Sequence, residues 1–305
     1  MKKAFALLLS LALLLTAAPL LAEEQFTIVV NLKTLSSEYW QTVKSGIDEA
    51  AEEFGLAIDV QGPAAETEIA EQVQQLETLL AAKPDAIIIA PLDGDAVIGA
   101  IESSGYEGLV IFCDTDANYE KKTSFVGTSN QVAAHSGGVY GIELAGGENA
   151  KALIIYGQEG DNTSNLRKAG YEQALEEAGL APVAMLSGNN TTDGATKVME
   201  DQLIANPEIN LVLCHNDDTA IGALNAVTTA GREGITIMGF DGNQSAVELI
   251  ASGDLAGTVA QQPKLMGYLS VETALKALKG EEVEANVVVD TVIINKDNFE
   301  EYLQK

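Results

Sequence analysis

Side chains able to do chemistry gather directly after short apolar runs in this 305-residue sequence. Ser36, Ser37, Glu38, Tyr39 and Trp40 follow the run from Phe26 to Val30, and Trp40 is the only tryptophan. Asp114, Thr115 and Asp116 follow Leu109 to Cys113, and the segment from Asp161 to Arg167, with Asn165 inside it, follows Ala152 to Tyr156. Asn216, Asp217 and Asp218 follow Leu211 to Cys214, and Asp241 and Asn243 follow Ile235 to Gly239. Acceptors, amides, one arginine and two adjacent aromatics suit an uncharged, hydroxyl-rich guest. Each hydroxyl both donates and accepts, so Asp, Asn and Arg satisfy it in pairs, while Tyr and Trp cover the apolar faces of a ring. A wrong epimer would strand buried polar groups at ~1–3 kcal/mol each, which is a source of selectivity.

The same residues supply little for catalysis. No Gly-x-Gly-x-x-Gly opens the first helix, and there is no phosphate loop and no Gly-x-Ser-x-Gly elbow. His135 and His215 stand alone, and Cys113 and Cys214 end apolar runs, where small buried hydrophobes belong; zinc spacing is absent. Neither Asp114–Asp116 nor Asp161–Asn165 opens the full residue pattern of a calcium-binding loop, so calcium is not expected either. No metal or cofactor is expected. Paired carboxylates acting on a glycoside remain the alternative class.

The elements that must position these groups alternate strand and helix. Val43, Ile47, Ala50 or Ala51 and Phe54 form one helical stripe closed by Gly55; Glu66 to Ala82 reads as a helix burying Ile69, Val73, Leu76 and Leu80; Ala86 to Ala90 reads as a buried strand. Nearly continuous apolar strands between helices imply parallel sheet covered on both faces. The second half also repeats the first. Lys44-Ser-Gly-Ile-Asp-Glu-Ala50 is echoed by Lys168-Ala-Gly-Tyr-Glu-Gln-Ala174, and Ile98-Gly-Ala-Ile101 by Ile221-Gly-Ala-Leu224. The expectation is an α/β chain of two Rossmann-like lobes, with the ligand at the carboxyl ends of the strands.

Charge and the N-terminus narrow the setting. Forty-five acids against 17 bases give a net charge of −28, which repels nucleic acid and anionic membranes. Lys2 and Lys3, the apolar stretch from Ala4 to Leu15 and a first acid at Glu23 read as an export signal over residues 1–22, cleaved after Ala22. No cysteine lies near that boundary to carry a lipid, so a free periplasmic protein is expected.

His215-Asn216-Asp-Asp-Thr-Ala-Ile-Gly-Ala-Leu224, Gly239-Phe-Asp241-Gly242 and Gly257-Thr-Val-Ala-Gln261-Gln-Pro263 strongly resemble periplasmic sugar-binding proteins of the ribose-binding type. Pro84 to Pro91 and Phe125 to Asn130 fit as well, and the likeness spans residues 26–295. The resemblance implies the type I periplasmic binding fold, with lobes of residues 23–127 plus 262–290 and 128–261 plus 291–305. Three hinge crossings would fall near Thr128, Gln261 and Asp290. It also implies closure over a neutral sugar or polyol, delivery to an inner-membrane ABC permease, and a monomer; a chemoreceptor is a further partner the family admits. The sugar-facing residues it implies are Ser37, Tyr39, Trp40, Asp114, Asn165, Asn190, Asn216, Asp241 and Gln261. Thr115 stands where ribose binders carry an arginine, Asn165 where the second-lobe arginine falls, and Asn190 where an aromatic is expected. Arg167, two places on, is a pocket contact or a structural ion pair. Pentoses, hexoses and polyols all remain candidates. A sugar-responsive repressor of the same fold would need a helix-turn-helix ahead of the first lobe, which the sequence lacks.

Overall fold

The computed structural model describes residues 26–303, so the segment read as an export signal lies outside the described residues. β1 (Ile28–Asn31), β2 (Asp59–Gln61), β3 (Ala86–Ile89), β4 (Leu109–Cys113), β5 (Ser124–Gly127) and β11 (Asn286–Val288) form a parallel sheet in the order β11-β5-β4-β3-β1-β2. β6 (Ala152–Tyr156), β7 (Ala184–Ser187), β8 (Leu211–Cys214), β9 (Thr236–Asp241), β10 (Gly257–Ala260) and β12 (Val292–Asn295) form the other, in the order β12-β10-β9-β8-β6-β7. Only the β10–β12 edge pair among them is antiparallel. Read from β2 and from β7, the two sheets show the same 2-1-3-4-5 order, the structural form of the internal repeat. β1, β3 and β8 are buried at every position because helices cover both faces.

In the first lobe α1 (Glu38–Phe54) and α9 (Pro263–Leu278) cover one face, and α2 (Ile69–Ala81) and α3 (Gly94–Ser104) the other. In the second lobe α4 (Asn130–Leu144) and α5 (Asn162–Glu177) face α6 (Thr192–Ala205), α7 (Asp217–Thr229) and α8 (Gln244–Ser252) across the sheet. The chain passes between lobes three times: between Gly127 and Asn130, between Ala260 and Pro263, and between Val288 and Val292.

Local chemistry fixes the helix ends. Ser37 accepts a hydrogen bond from the Trp40 amide at the start of α1, and Gly55 closes that helix in the left-handed region at φ 67°. The repeated glycines serve close helix packing. A Cβ on Gly46 of α1 would fall 1.8 Å from the Lys264 carbonyl oxygen of α9, and one on Gly170 of α5 would fall 2.3 Å from the Gln131 carbonyl oxygen of α4. Each lobe therefore seats one helix pair backbone to backbone at the same point of the repeat.

One helix differs from its sequence reading. The element expected over Glu66–Ala82 begins only at Ile69, and its buried stripe runs through Gln72, Leu76, Leu79 and Leu80, with Ile69 and Val73 half-buried. Gln72 donates to the carbonyls of Leu32 and Ala90 and accepts from the Leu92 amide, satisfying backbone where β1 and β3 end. An apolar-only stripe cannot register a glutamine buried for its hydrogen bonds. Glu66 is left in the loop ahead of the helix.

Candidate functional site

The residues that follow the strands of both sheets meet around a narrow cavity between the lobes. The first lobe contributes Lys33, Ser37, Tyr39, Trp40, Glu66 and Asp114; the second contributes Thr163, Arg167, His215, Asn216, Asp218 and Asp241.

The first turn of α1 presents Tyr39 and Trp40 edge to face, with ring centroids 5.2 Å apart and planes at 85°. The Tyr39 hydroxyl donates to Asp114 Oδ2 at 2.6 Å, and the Thr115 hydroxyl donates to Asp114 Oδ1 at 2.7 Å. The Trp40 indole N–H donates to Glu66 Oε1 at 2.7 Å. Burial pushes the Glu66 carboxyl up, against the opposing pull of Lys33.

In the second lobe Arg167 lies 3.7 Å over the Phe240 ring and donates to Asn130 Oδ1 and the His215 carbonyl, each at 2.8 Å. Its Nη1 is 3.4 Å from Asp241 Oδ1, which also accepts from Gln261 Nε2 at 2.8 Å. Burial pushes Asp241 well above the ordinary carboxylate range despite Arg167. Burial, then Arg167, holds the His215 imidazole well below its ordinary value, so it is neutral at pH 7. Asn216 caps α7, sharing reciprocal bonds with Thr219. Asp114 and Asp241, at the ends of the corresponding strands β4 and β9, hold φ of 66° and 121°, values that L residues adopt at a cost of ~1–3 kcal/mol. That strain aims both carboxylates into the same space.

Among the described residues, four ties join the lobes. Lys33 Nζ meets Asp161 Oδ2 at 2.7 Å with both side chains at most 3% exposed. The Thr115 and Thr163 hydroxyls are 2.9 Å apart, and Asn190 Nδ2 donates to Glu66 Oε2 at 2.8 Å. At the rim the Glu38 carboxylate accepts from the backbone amides of Gln244 and Ser245 at the start of α8. For Lys33, burial works against the charge, yet Asp161, Glu66 and Asp114 together raise its pKa. For Asp161, burial again opposes the charge, and Lys33, His215 and Arg167 lower its pKa.

Of the residues singled out in the sequence, Ser37, Tyr39, Trp40, Asp114, Arg167, Asn216 and Asp241 line the cavity. Thr115, Asn190 and Gln261 are buried behind the wall, bonded to Asp114, Glu66 and Asp241. Asn165 is a correction: it is exposed. The buried stripe of α5 runs through Thr163, Arg167, Gly170 and Tyr171, and two residues from Thr163 or Arg167 is about 200° around the helix, on the opposite face. Lys33, Glu66, Thr163 and His215 were not singled out as site residues. Lys33 and His215 could have been, since each stands just past a strand end. Among the described residues no cluster of His, Cys, Asp or Glu is placed to hold a metal ion.

Asp217 is a structural tie. Its carboxylate accepts from the Thr258 hydroxyl at 2.7 Å and the Asn243 amide at 2.8 Å, and burial pushes its pKa up to about 7. Between the ordinary value of 3.8 and about 7 the folded chain binds this proton and the unfolded chain releases it. Asp217 therefore contributes least to stability above pH 7 and more as the pH falls. Asp217→Asn, which keeps an acceptor for the Asn243 amide, is expected to melt close to wild type near pH 5 and increasingly above it towards pH 8; melting curves across that range check the sign.

Two α/β lobes closing an aromatic and amide-lined cavity between the carboxyl ends of their sheets define a two-lobed solute-binding protein. Residues 28–282 match the model of the periplasmic binding protein domain, and the chain belongs to that family. It is 30% identical over 300 residues to the ribose import binding protein RbsB of Bacillus subtilis (strain 168), covering 94% of this chain and 97% of that protein. Among solved structures, an ABC transporter periplasmic solute-binding protein from Actinobacillus succinogenes 130z with bound D-allose superposes with a TM-score of 0.82 at 30% identity, covering 90% of this chain and 99% of the other. An ABC transporter solute-binding protein from Agrobacterium vitis with bound D-fucose gives 0.84 at 31% identity, covering 90% and 96%.

Proposed function

We propose that this chain captures a neutral monosaccharide or similar polyol between its lobes in the periplasm and delivers it to an ABC import permease. The observation that carries this reading is the cavity whose walls come from both lobes, so that one small guest touches both and favours their closure. Tyr39 and Trp40 cover a face of the guest, and Asp114, Arg167, Asn216 and Asp241 pair with its hydroxyls alongside Ser37. Thr115, Asn190 and Gln261 hold those partners in place. The two lobes move as units about the three crossings, the export segment is removed, and the mature chain acts as a monomer; a chemoreceptor would read the same closed form. Binding without turnover is favoured over glycoside cleavage because Asp114 and Asp241 are both tied down by neighbouring side chains, and the relatives described above are binding proteins.

A thermal-shift and calorimetry panel of D-ribose, D-allose, D-arabinose, D-fucose and myo-inositol tests the proposal. A ligand at a hundredfold excess over Kd stabilises the folded form by about 2.7 kcal/mol, a rise of several degrees in Tm. At least one member is expected to give that rise, and glycosides incubated with the protein are expected to stay intact. No shift from any member would remove the sugar reading, and released product would replace it with the enzymatic one.

A further inference from the structure

Glu66 is the one carboxylate of the cavity wall that bonds to an aromatic of its own lobe and to the opposite lobe together. Its Oε1 accepts from Trp40 Nε1 at 2.7 Å and its Oε2 from Asn190 Nδ2 at 2.8 Å. Trp40 and Asn190 are 3% and 5% exposed, so both bonds are shielded from water. Asn190 is itself firmly seated. It adopts φ 59° directly after Asn189 at 54°, and its Oδ1 accepts from the Gln158 amide at 2.9 Å. It lies so close to the neighbouring backbone that a Cβ on Gly157 would come within 2.1 Å of that oxygen. A left-handed asparagine held by the neighbouring loop after β6 is a fixed donor aimed across the cleft.

We infer that Glu66 and Asn190 are positioning residues that couple the orientation of Trp40 to lobe closure. The inference rests on the solute-capture reading and adds to it the side chains that set when the aromatic wall is ready. With the lobes together, the carboxylate is held at both oxygens and fixes the indole edge. With the lobes apart, the Asn190 bond is lost, Glu66 is held at one oxygen only, and the indole loses half of its anchor. A guest that stacks on a correctly oriented Trp40 therefore favours closure beyond its direct contacts with the second lobe. Asn190 acts through Glu66 in this scheme and not as a ligand contact.

Trp40, as the only tryptophan, makes the coupling visible in its own emission. Intrinsic emission and acrylamide quenching are compared at saturating D-allose or D-ribose, where the lobes are together, in wild type, Asn190→Ala, Glu66→Ala, Glu66→Gln and the Asn190→Ala/Glu66→Ala double variant. Melting curves confirm that each folds. Asn190→Ala, although in the other lobe and without a hydrogen bond to Trp40, is expected to shift emission to the red and raise quenching. The double variant should match Glu66→Ala instead of adding to it. Glu66→Gln, which keeps one acceptor oxygen, should fall between wild type and Glu66→Ala. With D-allose or D-ribose as the probe, Asn190→Ala should raise the dissociation rate about tenfold while leaving the association rate within about twofold, as expected for losing a hydrogen bond to a charged group. Asn190→Ala emission and quenching identical to wild type, or effects of the two variants that simply add, would overturn the coupling. If no sugar of the panel binds wild type, the capture reading falls and the coupling with it; if one binds and Asn190→Ala emission still equals wild type at saturation, the coupling alone falls.

Discussion

Asp241→Ala is expected to weaken sugar binding by at least about thirtyfold, the equivalent of ~2 kcal/mol. The carboxylate is 6% exposed and one oxygen, Oδ1, serves Gln261 and Arg167. Among the described residues the other oxygen has no hydrogen-bond partner, so in the proposed complex it is the guest's acceptor. Truncation removes that acceptor and releases Gln261, whose Oε1 already lacks a partner. Arg167 keeps Asn130 and the His215 carbonyl, so the fold loses less than the site does. Removing a carboxylate that burial pushes well above its ordinary pKa also relieves a desolvation cost, which offsets part of the stability loss. Calorimetry should thus show a large change in Kd beside a modest change in Tm, with Asp241→Asn intermediate because asparagine keeps one acceptor oxygen. A Kd equal to wild type would remove Asp241 from the site.

Lys33→Met should weaken binding further, by about a hundredfold or more. Its ammonium is the only cation bonded to Asp161 among the described residues, and the pair is buried across the interface between lobes. Removing one member of such a pair leaves an uncompensated charge at a cost of ~3–5 kcal/mol. That cost falls on the closed arrangement alone, since opening the lobes lets water reach Asp161. It therefore appears in Kd and in the closed fraction seen by solution scattering before it appears in the stability of either lobe. Asp161→Asn should cost less, because Glu66 and Asp114 still compensate Lys33 and the asparagine can still cap α5 through the Thr163 amide. Lys33→Met with Asp161→Leu should recover part of the loss, which marks a coupled pair. A Lys33→Met protein that binds within threefold of wild type would show that this ion pair does not govern closure.

Much of the architecture was legible because it is written in short-range pattern. Apolar runs of four or five residues, glycines after helices and a repeat in register specify strands, caps and two copies of one topology, and the sheets carry the same strand order twice. The rule that ligands gather past the carboxyl ends of strands led directly to Tyr39, Trp40, Asp114, Asn216 and Asp241, all of which line the cavity. Helix phase then separated neighbours that composition treats alike: Arg167 turns inward and Asn165 outward. Glu66 was absorbed into a helix that begins three residues later, since a loop without periodicity offers no signal of its own.

The sequence by itself determined the two lobes, their parallel sheets and the polar, aromatic character of the surfaces they turn towards each other. Only the tertiary structure decided which of those groups meet. Lys33 finds Asp161 across 128 positions and Glu66 finds Asn190 across 124, and no local spacing encodes either pairing. The physical reason is that periodicity reports which side of an element is buried, whereas a cleft between lobes is set by how two bodies, each with its own core, dock. There the desolvation of each charge must be matched by a partner from the other side.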